Sequence, residues 1–138
     1  MKQALERSVF AVEFRKAYES GEFLMVSGIS FEVDCSKQTQ AINPDATAII
    51  TPGERVSNII IAGKPFDPDA TYKVVITTFL ANLTSFGNDG YVPLLNAKII
   101  EVDKSVVEKD VLVEYIRKQS TVAPKVEGRI KLAVNCTM

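Results

Sequence analysis

The sequence predicts an α+β domain with a mostly antiparallel sheet. Apolar residues recur at helical spacing near both ends of the chain: Leu5, Val9 and Val12 at the start, and Val107, Val111 and Tyr115 toward the end. Between and after them lie short β-branched runs separated by Gly, Pro, Asn and Asp clusters, the pattern of strands joined by turns. The resulting order, helix, strands, helix, strand, segregates the two element types instead of alternating them.

The first helix carries Ala4 and Ala11 beside its stripe and ends at Ser20-Gly21. FLMVSGISFEV (23–33) is too continuously apolar for a one-sided exposed strand, and Ser27-Gly28 suggests a bend or bulge within it. Residues 34–53, with Asn43-Pro44 and Pro52-Gly53, read as a polar, irregular connection. RVSNIIIA (55–62) and TYKVVITTF (71–79) read as strands. The turn Gly63-Lys64-Pro65 and the tight Asp-Pro-Asp loop of FDPDATY lie between them. KIIEVD (98–103) adds a short strand. SVVEKDVLVEYIRKQS opens with a capping box, Ser105 and Glu108, and places Leu112 and Ile116 beside its stripe and Glu114 four before Lys118. VEGRIKLAV (126–134) is the last strand. Glu127 and Arg129 in it are read as a structural ion pair, and Glu32 and Asp34 as solvated acids on one strand face. The chain contains no internal repeat and no low-complexity tract.

The 138 residues suffice for one domain with a hydrophobic core, here 1–138. A formal net charge of −1 with scattered Lys and Arg argues against nucleic acid or an anionic membrane as partner. No apolar run reaches the roughly 18–20 residues of a membrane-spanning helix. The charged opening MKQALERSVFAVEFRKAY is no signal peptide, so an exported form requires a leader outside this sequence. Histidine is absent. That removes the usual general base and the commonest neutral metal ligand, and points to binding in preference to bond-breaking. Cys35 and Cys136 are either two unrelated small apolar residues or a disulfide closing a loop of about 100 residues, worth up to ~4–5 kcal/mol on chain-entropy grounds. Asn82-Leu-Thr84 and Asn135-Cys-Thr137 are glycosylation sequons.

TTFLANLTSFGNDGY (77–91) ends an apolar run in Phe79 and sets Asp89 between Asn88 and Gly90. It reads as a strand and turn, or as a ligand clamp. The segments GEFLMVSGISFEVD, RVSNIIIAGKPFDPDATYKVVITTFLAN, NDGY and VEGRIKL, in this order, resemble the C-terminal domain of the 5′-nucleotidase family. That family includes bacterial UDP-sugar hydrolases, animal ecto-5′-nucleotidases and secreted insect apyrases. The resemblance implies α/β/β/α layering and a division of labour. An N-terminal metallophosphoesterase domain would hold two divalent metal ions, such as zinc, with a catalytic histidine. The C-terminal domain would hold a nucleotide or nucleoside of the AMP/ADP kind. It further implies that Phe79 is one wall of a base sandwich and that Asp89, with Gly90, meets the nucleoside. Asn88 and Phe86 are candidates for further contacts, and Tyr91 either lines the pocket rim or packs.

Leu83-Thr84-Ser85-Phe86 is an insertion relative to the family pattern, and the family's Asn-Gly-Gly-Gly-Ile-Arg and Pro-Phe-Gly segments are not in the sequence. The chain is therefore expected to begin partway into its domain, to be inactive as a phosphohydrolase alone, and to come from a secreted glycoprotein. FLMVSGISFEV is expected to be an open sheet edge that favours a homodimer. The alternative is a non-enzymatic secreted binding module on the same scaffold.

Overall fold

The computed structural model describes residues 1–10, 23–81, 91–100 and 106–136. Helix α1 (Lys2–Phe10) leads to strand β1 (Ile29–Val33), and a small hairpin follows, β2 (Ala41–Ile42) with β3 (Ile49–Thr51). Strands β4 (Val56–Ile61) and β5 (Lys64–Pro65) come next, then short helices α2 (Thr78–Ala81) and α3 (Val92–Leu95). Helix α4 (Glu108–Gln119) and strand β6 (Ile130–Leu132) complete the order. The main sheet runs β5-β4-β1-β6, antiparallel except for the parallel β1–β6 pair. Helices with one four-stranded and one two-stranded sheet make this the expected α+β fold.

The core follows the two periodicities. Phe31 and Val33 of β1 point inward and alternate with Ser30 and Glu32. With Val56 and Ile59 of β4 they meet Leu5 and Val9 of α1, and all six are buried. Partly buried Ile130, Leu132, Cys35 and Cys136 pack around them. A polar anchor fixes α1 to the loop before β4. The buried Glu6 carboxylate accepts the backbone N–H groups of Arg55 (3.0 Å) and Val56 (2.8 Å) and pairs with Lys2 at 2.6 Å. Gln3 Oε1 accepts the Gly53 N–H at 3.1 Å. A Cβ at position 53 would stand 2.5 Å from Glu6 Oε2, so only glycine fits there.

Two local irregularities have clear causes. Ala62 and Gly63, both at positive φ, form the two-residue turn between β4 and β5, the conformation whose twist suits a hairpin. The register of β1 against β4 shifts between Ser30 and Glu32, which puts an extra residue on β4. Asn58, at φ 48, lies within this bulge, and asparagine tolerates the left-handed region better than most residues. Of the bend or bulge expected at Ser27-Gly28, the structure has the bend, outside the strand: Gly28 has φ 71, and β1 begins only at Ile29.

Other expectations need correction. The connection over 34–53 is not irregular, because it contains the β2–β3 hairpin. Asn43 Oδ1 caps this hairpin by accepting the N–H groups of Thr47 and Ala48, each at 2.8 Å. TYKVVITTF forms no strand over 71–77, and helix α2 takes over at Thr78. Val74, Val75 and Ile76 are exposed. A strand needs a ladder partner, and both sides of β4 are occupied. The outer neighbour β5 contains Pro65, which has no N–H to extend the sheet.

Residues 98–100 are likewise irregular and exposed, and the rest of KIIEVD lies outside the described residues. Helix α4 begins at Glu108 with extended Val107 as N-cap and no side-chain cap, so Glu108 is the first helical residue and not the third. Ser105, and the first helix beyond Phe10, lie outside the described residues. The stripe of Val111, Leu112, Tyr115 and Ile116 is exposed, while Glu114 and Lys118 pair at 2.7 Å as expected. The final strand is shorter than 126–134. Gly128 at φ 68 turns the chain, and Arg129 bonds Glu127 at 3.1 Å and donates to the Val26 carbonyl, a structural role as read. The strand expected at an open edge, β1, is interior, flanked by β4 and β6.

Candidate functional site

Phe79 sits on the single turn of α2, where Thr77 Oγ1 accepts the Leu80 N–H at 3.4 Å. Its ring is 56% exposed, against the usual tendency of a large aromatic to be buried. Tyr91, at the far end of the same segment, is 1% exposed and among the largest buried side chains. Its carbonyl accepts the Leu94 N–H at 2.8 Å and starts α3, which lies against α1. The segment therefore has one end fixed in the core and an aromatic face offered to solvent at the other. Phe86, Asn88, Asp89, Gly90 and the sequon residue Asn82 lie outside the described residues.

A concavity elsewhere on the molecule was not anticipated from the sequence. It is an open depression of about 360 Å³ on the sheet face opposite α1, bordered by Ser30, Glu32, Asn58, Ile60, Pro65 and Lys131. Glu32 accepts from Asn58 Nδ2 at 2.6 Å and faces Lys131 Nζ at 3.5 Å. Its pKa is lowered, chiefly by the Asn58 bond; desolvation opposes this, and Lys131 adds a further lowering. The polar groups of this depression already satisfy one another across three strands. The clue available in the sequence was the outward alternation of Ser30 and Glu32, but the pairing with Lys131 spans almost a hundred residues and carries no local signal.

Asp34, read as solvated, is half-buried and has partners. It accepts from the Ser36 hydroxyl (2.7 Å) and N–H (3.0 Å) and from Asn135 Nδ2 (2.8 Å). The Ser36 hydroxyl bond, then Asn135, holds its pKa at about 2. Beside it Cys35 and Cys136 form a disulfide with Cα atoms 5.1 Å apart, which decides between the two readings of the cysteines. Among the described residues, no three His, Cys, Asp or Glu side chains come together as metal ligands. No helix among the described residues is long and apolar enough to cross a membrane.

Of the two described aromatics of this segment, Tyr91 is buried and Phe79 faces solvent. The family profile described as the 5′-nucleotidase C-terminal domain matches residues 1–96, and the chain belongs to that family. It is 32% identical to a human 5′-nucleotidase over 96% of its own length and 21% of that protein's. It is 30% identical to a snake venom 5′-nucleotidase of Macrovipera lebetinus, over 94% of this chain and 28% of the relative. A trifunctional nucleotide phosphoesterase of Bacillus subtilis is 28% identical over 84% of the chain and 8% of its own length. The chain thus spans about a fifth of the human relative it matches. No solved structure matches it significantly.

Proposed function

We propose that this chain is the nucleotide-recognition portion of a 5′-nucleotidase-family hydrolase. In this reading Phe79 stacks on the base, Asp89 and Gly90 meet the sugar, and Asn88 and Phe86 shape the rim, while the buried Tyr91 anchors the end of the segment. A separate metallophosphoesterase domain with two divalent ions, zinc among the candidates, cleaves the phosphate. The observation that carries the reading is the 56% exposure of Phe79 in a family member, at the position that ends the apolar run and opens Phe-Leu-Ala-Asn. An aromatic face left in water at the end of an apolar run is costly unless something covers it, and a purine covers it in a sequence-tolerant way. A carboxylate beside glycine suits acceptance from sugar hydroxyls.

An extracellular setting accords with the disulfide, with the sequons at Asn82 and Asn135, and with the venom source of one relative. A homodimer belongs to the same proposal, and sedimentation equilibrium over a wide concentration range reads it directly. Calorimetric titration of the chain with AMP, ADP and adenosine tests the recognition role. Saturable heat with at least one of them, reduced in Phe79→Ala, is the expected result. Flat responses to all three would remove it.

A further inference from the structure

Strand β6 is joined to the rest of the molecule in an unusual way for a core sheet. It is three residues long and, among the described residues, pairs only with β1, in parallel, through ladder partners Phe31–Ile130, Glu32–Lys131 and Val33–Leu132. The flanking backbone bonds are Phe31 N–H to Arg129 O and Ala133 N–H to Val33 O, both 2.9 Å. Residues 121–128, which lead into it, are exposed and without regular structure. None of the six buried core residues comes from β6: all lie on α1, β1 and β4. The Glu6 anchor and the β4–β5 hairpin are also independent of β6. What secures the strand is a set of links just beyond it. These are the Cys35–Cys136 bond, the Cys35 N–H on Cys136 Sγ at 3.2 Å, and Asn135 Nδ2 on Asp34 at 2.8 Å. Both cysteines are half-buried, and the stretch Ala133–Asn135 that precedes Cys136 is exposed.

We propose that the Cys35–Cys136 disulfide is a thiol-sensitive clasp whose reduction lets β6 leave the sheet while α1, β1, β4 and β5 stay folded. The chemistry is dithiol exchange. A dithiol thiolate attacks one sulfur, a mixed disulfide forms, and the second thiol of the reductant displaces it. Two protons and two electrons pass to Cys35 and Cys136, and the reductant leaves as a cyclic disulfide. A short strand held by a covalent tie meets its partner at a high effective concentration, and that advantage is lost when the tie is cut. Opening bares the second edge of β1 and uncovers the half-buried Ile130 and Leu132. The proposal is independent of the nucleotide reading.

Amide hydrogen exchange on the whole chain, oxidised and after dithiothreitol, is the test. The expected result is faster exchange at Ala133 and Phe31 by about a hundredfold, the low end of what an intramolecular tie contributes. Exchange at Ile59–Ile61 is expected not to change. The Cys35→Ala/Cys136→Ala double variant without reductant should match the reduced chain, which separates loss of the bond from other effects of the thiol. Equal protection of β6 in both states overturns the proposal. So does global loss of protection, in the reduced chain or in the double variant, because the bond would then be a staple for the whole fold.

Discussion

Phe79 and Glu6 are opposite cases of one rule, that a side chain's surroundings set what its removal costs. Phe79 is more than half exposed and makes little core contact, so Phe79→Ala should leave thermal stability almost unchanged, as is usual for surface changes. The same substitution is expected to weaken binding of adenosine or AMP by roughly 1–3 kcal/mol, the range for one stacked base, while Phe79→Tyr retains it. Calorimetry and a melting curve on the same samples separate the two effects. Glu6 is 1% exposed and is the acceptor for two backbone donors that have no water to turn to. Glu6→Ala is therefore expected to cost about 3 kcal/mol, the scale for bonds to a charged acceptor with buried donors left unpaired. Glu6→Gln, which keeps an acceptor oxygen, should cost less; urea denaturation midpoints measure both.

At the scale of elements, the clasp beside β6 has a second, ionic arm. In the folded chain the Asp34 carboxyl has its pKa lowered from 3.8 to about 2 by Ser36 first, then Asn135, with Lys37 adding a charge attraction. A lowered folded pKa favours the folded state above the unfolded value, and that gain is lost as pH falls toward the folded one. Asp34→Ala should thus narrow its stability gap to the parent chain as pH drops from 3.8 toward 2, with no change in the gap near neutrality. Urea midpoints of the two proteins across that window provide the measurement.

What was legible in the sequence divides along the same line of locality. The α1 stripe, the Glu114–Lys118 pair and the Glu127–Arg129 pair were readable, because each is set by residues a few positions apart, whereas the turn read at Gly63-Lys64-Pro65 falls at Ala62-Gly63, with Lys64 and Pro65 already in β5. The Val74–Ile76 run has strand composition, yet whether it becomes one depends on a neighbour that local sequence does not specify. The parallel β1–β6 pairing and the Glu32–Lys131 contact were invisible for the same reason. Of the candidate site, Phe79 and Tyr91 were named from the resemblance. Their contrast in burial, one offered outward and one set in the core, emerged only with the fold.

For the whole molecule, composition limits the chemistry available. A chain with no histidine, and with no cluster of metal-binding side chains among its described residues, has neither the usual general base nor a ready dimetal cradle. The 138-residue chain alone is therefore expected to release no phosphate from AMP above a buffer control with added zinc, manganese or magnesium. Metal-dependent release by protein free of phosphatase would contradict this.

The pairing of β1 with β6 also has a consequence for how the protein is made. Cys35 and Cys136 are 101 residues apart, so at synthesis rates of roughly 5–20 residues per second, β1 waits about 5–20 s for its last neighbour. The β4 hairpin partner arrives well before then, leaving a half-finished sheet with one open flank and an unpaired thiol. Translation arrested before residue 130 should hold Cys35 open to an alkylating reagent in pulse-labelling, whereas the released, oxidised chain should resist it. The interval before this bond forms is when the nascent sheet most needs a chaperone over its exposed flank.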